Sequence, residues 1–150
     1  MLAQPTQAFV KGMVIPTEGG GGPILFQWNP RTVKEDKGAR WAKLQPIGRE
    51  QPILQFSIGQ ARVISFNIDV SEPGGTGMSA KSYIDQFIEL TKPSVGGNVK
   101  RPPKLQLILG QAIKMTCVLT AVSNAYGPLF HPMTLGPQQS TVRLTFTEFI

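Results

Sequence analysis

Ile64, Phe66, Ile68 and Val70 alternate with Ser65, Asn67 and Asp69. A period of two puts the four apolar side chains on one face of an extended segment and the polar ones on the other. The same pattern recurs at the end of the chain, where Val142, Leu144 and Phe146 alternate with Thr141, Arg143, Thr145 and Thr147. It recurs again at Leu54, Phe56 and Ile58, set against Gln55 and Ser57. Strands of this kind need a core on one side and tolerate water on the other, which excludes a helical bundle and points to antiparallel sheets. Gly59-Gln60 sits between residues 54–58 and 64–70, where a tight turn would join them as a hairpin.

The other segments read the same way. Gln7–Ile15 is a further strand, weakened by Gly12, and Ile24–Trp28 another, stopped by Asn29-Pro30 because proline donates nothing to a ladder. Residues 31–50 carry mixed charge with Gly38, Pro46 and Gly48, and read as a long basic arm with one short strand at Arg40–Leu44. One helix is expected after Ser79 as N-cap, with Tyr83, Phe87 and Leu90 on a stripe widened by Ile84 and Ile88, and with Pro93 closing it. About three turns are too short to stand alone, so the helix must lie on a sheet. Strands at Lys104–Leu109, Ile113–Ser123 and Thr141–Ile150 complete the chain, around a proline-rich loop at 124–139. The predicted fold is mainly β, an antiparallel sandwich or barrel with one covering α-helix. At 150 residues and 41% apolar content it is read as a single domain, 1–150.

The run TEGGGGPILFQWNP raises the question of a phosphate loop. Such a loop ends in Gly-Lys-Ser/Thr at the start of a helix, whereas here Gly22 leads to Pro23 and a strand. The glycines therefore read as a turn. His131 and Cys117 are each the single residue of their type, so a metal site of several His or Cys ligands is out of reach. Cys117 lies in the apolar stretch IKMTCVLTAV and reads as a buried small hydrophobe. Asp85 and Glu89 stand four apart on the helix, as solvated acids often do. No enzyme and no cofactor are expected. No apolar run nears the about 18 residues of a membrane span, and the start MLAQPTQAFVKGMV lacks the pattern of a secretion signal.

Charge is sparse, at 16% of residues, and the net charge is +6. Residues 90–150 hold six basic side chains against Glu148 alone. Such a surface attracts nucleic acid or acidic partners. Lys100, Arg101 and Lys104 cluster in one place, and Arg31, Lys34, Lys37, Arg40, Lys43 and Arg49 surround Trp41 in another. Aromatic and basic side chains together suit single-strand binding, which makes a small nucleic-acid-binding barrel the alternative reading. In it only Trp41 is free to stack, because Trp28 and Phe56 lie in strands that need core.

ILFQWNPRTV resembles the F-x-F-N-P opening of the tube-forming domain of contractile injection system and phage tail proteins. This is the family of tube-like adaptors that join the tail tube to the spike in the baseplate. PILQFSIGQARVISFNIDV resembles that family's apolar hairpin, SYIDQFIELT its helix, KRPPKLQLILG its R-P-P strand, and GPQQSTVRLTFTEF its closing strand. The ordered set spans about residues 7–150. It departs from the family at Gln138-Gln139-Ser140, where a Pro-x-Arg-Ala region is usual. The LysM-type domain that follows in several members is not expected after Ile150.

The resemblance implies hexameric rings in which each subunit adds strands to a continuous inner barrel, with the tail tube at one end and the baseplate hub or spike at the other. It implies synthesis in a bacterial host cytoplasm and residence in the virion tail, no membrane, and DNA only as passing cargo if the particle is a phage. On this reading Asn29, Pro30, Arg31, Lys34, Lys37, Arg40, Trp41, Lys43, Tyr126, Phe130 and His131 are expected at subunit or ring contacts. Ser65, Asn67, Asp69, Arg143, Thr145 and Thr147 are expected to face the lumen or solvent.

Overall fold

The computed structural model describes residues 12–18, 21–71, 78–93, 101–128, 130, 132–133 and 135–149. Its elements run β1 (Met13–Pro16), β2 (Ile24–Leu25), β3 (Val33–Asp36), β4 (Ala39–Leu44), β5 (Ile53–Gly59), β6 (Val63–Ser71), α1 (Met78–Glu89), β7 (Leu105–Leu109), β8 (Ile113–Tyr126) and β9 (Gln139–Glu148). Seven strands form one sheet in the order β2-β1-β7-β8-β9-β6-β3, and β4 and β5 form a separate pair. All pairings are antiparallel. The fold is mainly β with one helix, as the period-two segments require.

β8 organises the main sheet. Its first residues pair with β7 (Ile113↔Leu109 to Cys117↔Leu105), and from Cys117 onward it pairs with β9 on the other side. The register slips between Leu119 and Ala121. An extra residue on one strand of a pair bends it locally and raises its twist.

The alternating apolar residues meet in one core. Ile64, Phe66, Ile68 and Val70 of β6 pack with Val142, Leu144 and Phe146 of β9, with Leu105, Leu107, Met115, Cys117 and Leu119, and with Ala80, Ile84 and Phe87 of α1. The helix's innermost stripe is thus Ala80, Ile84 and Phe87, while Tyr83, Ile88 and Leu90 flank it half-buried. Leu90, Thr91 and Lys92 each donate their N–H to the carbonyl three residues back, which tightens the last turn ahead of Pro93.

Three expectations change. The strand at 54–58 does not turn back on 64–70. β5 pairs with β4, and β6 pairs with β3 and β9. Alternation makes a strand but leaves its partner open. Phe56 and Trp28, expected to need core, are 55% and 62% exposed. β2 ends at Leu25, and Phe26 turns inward instead, edge-on to Phe66 at 5.5 Å. The arm at 31–50 holds β3 as well as β4, since Lys34, Glu35 and Asp36 hid a strand that lies at the sheet's edge.

Gly12 lies just before β1, and the position requires glycine because a Cβ there would stand 2.6 Å from Leu109 Cδ2 and 2.7 Å from Phe26 Cδ2. The strand proposed for residues 7–11 lies outside the described residues.

Candidate assembly interface

The β4–β5 hairpin carries the largest apolar exposure. Every residue of both strands is exposed. Trp41 and Phe56 are cross-strand partners whose rings meet edge to face, with centroids 5.4 Å apart. Leu44, Ile47, Ile53, Leu54 and Ile58 are also exposed. The hairpin is fixed only at its root, where Gln60 N–H donates to the Gly38 carbonyl at 3.0 Å and Lys37 Nζ to the Gln60 carbonyl at 2.6 Å. An isolated two-stranded hairpin is marginal in water, and this one has its apolar side chains exposed.

Among the described residues the main sheet leaves open, besides β2 at one end, the edge at β3 and the outer side of β8. β3 pairs with β6 over Val63–Phe66, and among the described residues the rest of β6 has no strand beyond it. Gln27 Oε1 accepts the Ser71 N–H at 3.0 Å and caps the far end of that edge. On the other side, β8 beyond Cys117 pairs with β9 alone, so among the described residues no strand lies along the outer edge of 118–126. These edges bound the same rows of sheet: Lys34, Ser65, Thr145 and Ala121 stand in one cross-strand row, and Asn67, Arg143 and Ser123 in another.

The face of these rows turned from the core is small and polar. Asn67, Asp69 and Arg143 are exposed, Thr145 and Thr147 half-buried. Ser65 belongs to the same face but is only 9% exposed, because its neighbours overhang it. Thr141 Oγ1 donates to Asp69 Oδ1 at 3.2 Å. At the end of the sheet remote from the hairpin root, Tyr126, Phe130, Met133 and Leu135 are exposed around an isolated bridge between Phe130 and Pro137. His131 lies outside the described residues.

The basic residues divide by their partners. Lys34 pairs weakly with Asp36 at 3.7 Å, both exposed. Arg62 bridges Glu35 at 3.3 Å and Glu148 at 3.1 Å, tying β3 to β9 across β6. Arg101 grips Glu18 with two 3.0 Å bonds and lies over the Phe149 ring, which Lys104 also covers. That bidentate bond, reinforced by the Lys104 N–H, holds the Glu18 carboxyl below the usual range. Arg101 and Lys104 thus clasp the chain's own ends, which their sequence neighbourhood did not signal; Lys100 lies outside the described residues. Asn29 Oδ1 accepts the Gly12 N–H at 2.8 Å, and Pro30 borders a cavity with Leu109 and Ile113. Arg40, Trp41 and Lys43 stand on the hairpin, and Arg31 leads into β3.

A β fold with free strand edges and a bare apolar arm defines a protein that builds an assembly. Residues 15–150 match the family described as contractile injection system tube protein, and the chain belongs to that family. It is therefore a structural component of a contractile injection system or tail. A chain from the tail of an empty GTA particle, determined by helical refinement with C6 symmetry, is similar over 93% of this chain and 91% of that one, at 12% identity and a TM-score of 0.47. No curated protein sequence matches the chain.

Proposed function

We propose that six copies of this chain close into a ring that joins the tail tube to the baseplate hub or spike, as a structural and non-enzymatic part of the particle. The observation that carries this reading is the β4–β5 hairpin, whose Trp41, Leu54, Phe56 and Ile58 stay more than half exposed among the described residues. A second copy covers them. The free edges complete the picture. The outer edge of β8 in one copy adds to β3 of the next, so that the sheet continues around the ring and both of these edges are protected from stray pairing. The strands β8, β9, β6 and β3 alternate in direction, so a rotation about an axis along them keeps that junction antiparallel.

A contact between different patches on successive copies is head-to-tail, and it closes when the rotation divides a circle. The polar sheet face then lines the lumen, and the loop at 124–139 sits at the opposite end from the arm, available to a neighbouring ring or to the hub. In this arrangement the chain resides in the tail of the particle, and DNA passes through only where the particle is a phage.

Cysteines placed at Lys34 and Ala121, which occupy one row on opposite edges, test the ring. Under oxidation the double variant should give a ladder of covalent multimers ending at a closed species, while either single variant gives none. Monomers alone from the double variant, under conditions where electron microscopy shows particles of the same protein, contradict this junction.

A further inference from the structure

The polar sheet face carries Arg143 and Lys34, the latter held only by a long, exposed pairing with Asp36 among the described residues. Lys34 of β3 and Arg143 of β9 stand two strands and two residues apart, about 12 Å between Cα atoms from ordinary sheet spacings. Both are long side chains, and both line one shallow cavity of about 200 Å³ with Thr32, Ser65, Phe66 and Asn67. The two rows that hold them, Lys34–Ser65–Thr145–Ala121 and Asn67–Arg143–Ser123, contain no acid. The Asp36 partner of Lys34 is exposed at 3.7 Å, a pairing that water screens. The cleft is therefore lined by an ammonium, a guanidinium fork, two hydroxyls and an amide, which is a donor set for a phosphate-class oxyanion.

A second cavity of about 610 Å³ adjoins it and shares Thr32 and Asn67. Trp28, 62% exposed, and Arg31 line this second space. Its one acid, Asp69, accepts a hydrogen bond from Thr141 and faces Arg31 across the cavity lining. An exposed indole beside a cationic cleft, on an open and shallow surface, suits a chain that passes across it rather than a small ion held in an enclosed pocket.

We propose that this surface binds single-stranded nucleic acid, with a backbone phosphate in the Lys34–Arg143 cleft and a base against Trp28. The site stands whether or not copies close into rings; within a ring it repeats once per copy along the wall. It differs from the basic arm around Trp41, whose indole is engaged by Phe56.

The full chain carrying Trp41→Phe, which leaves Trp28 as its only tryptophan, is titrated with a short oligothymidylate at low salt. Trp28 emission and the anisotropy of a labelled strand are followed together. We expect quenching of Trp28 that tracks binding. Arg143→Gln and Lys34→Gln should each weaken binding at least fivefold and lower the slope of log K against log salt, by no more than about 0.7 for the one phosphate they share. Arg40→Gln, a cation on the hairpin, should change affinity less than twofold. Inorganic phosphate should compete only at far higher concentration than the strand. No binding at low salt, binding without Trp28 quenching, an Arg40 variant as impaired as the Arg143 variant, or phosphate competing as well as the strand would each overturn the proposal. Circular dichroism of each variant separates loss of the site from loss of the fold.

Discussion

At the residue scale, individual side chains do what their surroundings dictate. Cys117 is fully buried between β7 and β9, and burial pushes its thiol up to about 12. Thiolate is the reactive form, so at pH 8 the native protein should react with a thiol reagent on the order of a hundredfold or more slowly than the unfolded chain. Prompt labelling without denaturant would contradict the packing. Glu18 gives a pH signature. Its carboxyl is held low by Arg101 first and by the Lys104 N–H second, so the pair stabilises the fold above the ordinary carboxylate range. That contribution is lost as pH falls through the lowered value. Glu18→Gln should thus unfold at a lower temperature than wild type at pH 7, and the difference should close under acid conditions; a constant difference at every pH would assign the loss to packing. The burial of Cys117 was legible in its apolar neighbours. The Glu18–Arg101 clasp was not, because its partners lie 83 residues apart and no local pattern encodes that distance.

Elements divide into those their own sequence determines and those it leaves open. β6 and β9 carry strict alternation, and each buries the face that the pattern marks. The helix likewise follows its period, although Ala80 rather than Leu90 reaches the core, since a small residue allows close approach to the sheet. Phe87 ties the helix to Phe26, with ring centroids 6.1 Å apart, and packs on Tyr83 one turn back along the helix at 5.3 Å. Phe87→Ala should cost about 3–5 kcal/mol in a urea titration, and a loss below about 1 kcal/mol would mean the helix is not seated as described. β5 shows what periodicity cannot tell. Leu54, Phe56 and Ile58 alternate as well as Ile64 and Phe66 do, yet they meet no core. An apolar face awaiting another molecule is written in the same residues as one awaiting the chain's own interior. β3 was hidden for the converse reason: an edge strand covered on one side can afford Lys, Glu and Asp.

For the molecule as a whole, the residues that hold the monomer together and those proposed to join copies separate in space. The core lies between the main sheet and α1. The bare surfaces are the hairpin, the two strand edges and the loop at 124–139. Trp41→Ala combined with Phe56→Ala should therefore leave the unfolding of the monomer nearly unchanged, within about 1 kcal/mol, while abolishing large species on a sizing column. An equal loss of stability and assembly would place the hairpin in the monomer's own fold. The family was legible in short ordered motifs rather than in any one of them, because a tube wall needs no reactive group whose spacing would stand out.

The central claim is that copies of this chain continue one another's sheets around a lumen. Cryo-electron microscopy of assembled particles tests it most directly. Closed six-fold rings are expected in which β8 of one copy runs antiparallel to β3 of the next, with Asn67, Asp69 and Arg143 facing inward and the β4–β5 hairpin seated on a neighbouring copy. Rings whose inner wall is formed by α1, or in which Trp41 and Phe56 remain in solvent, would contradict it.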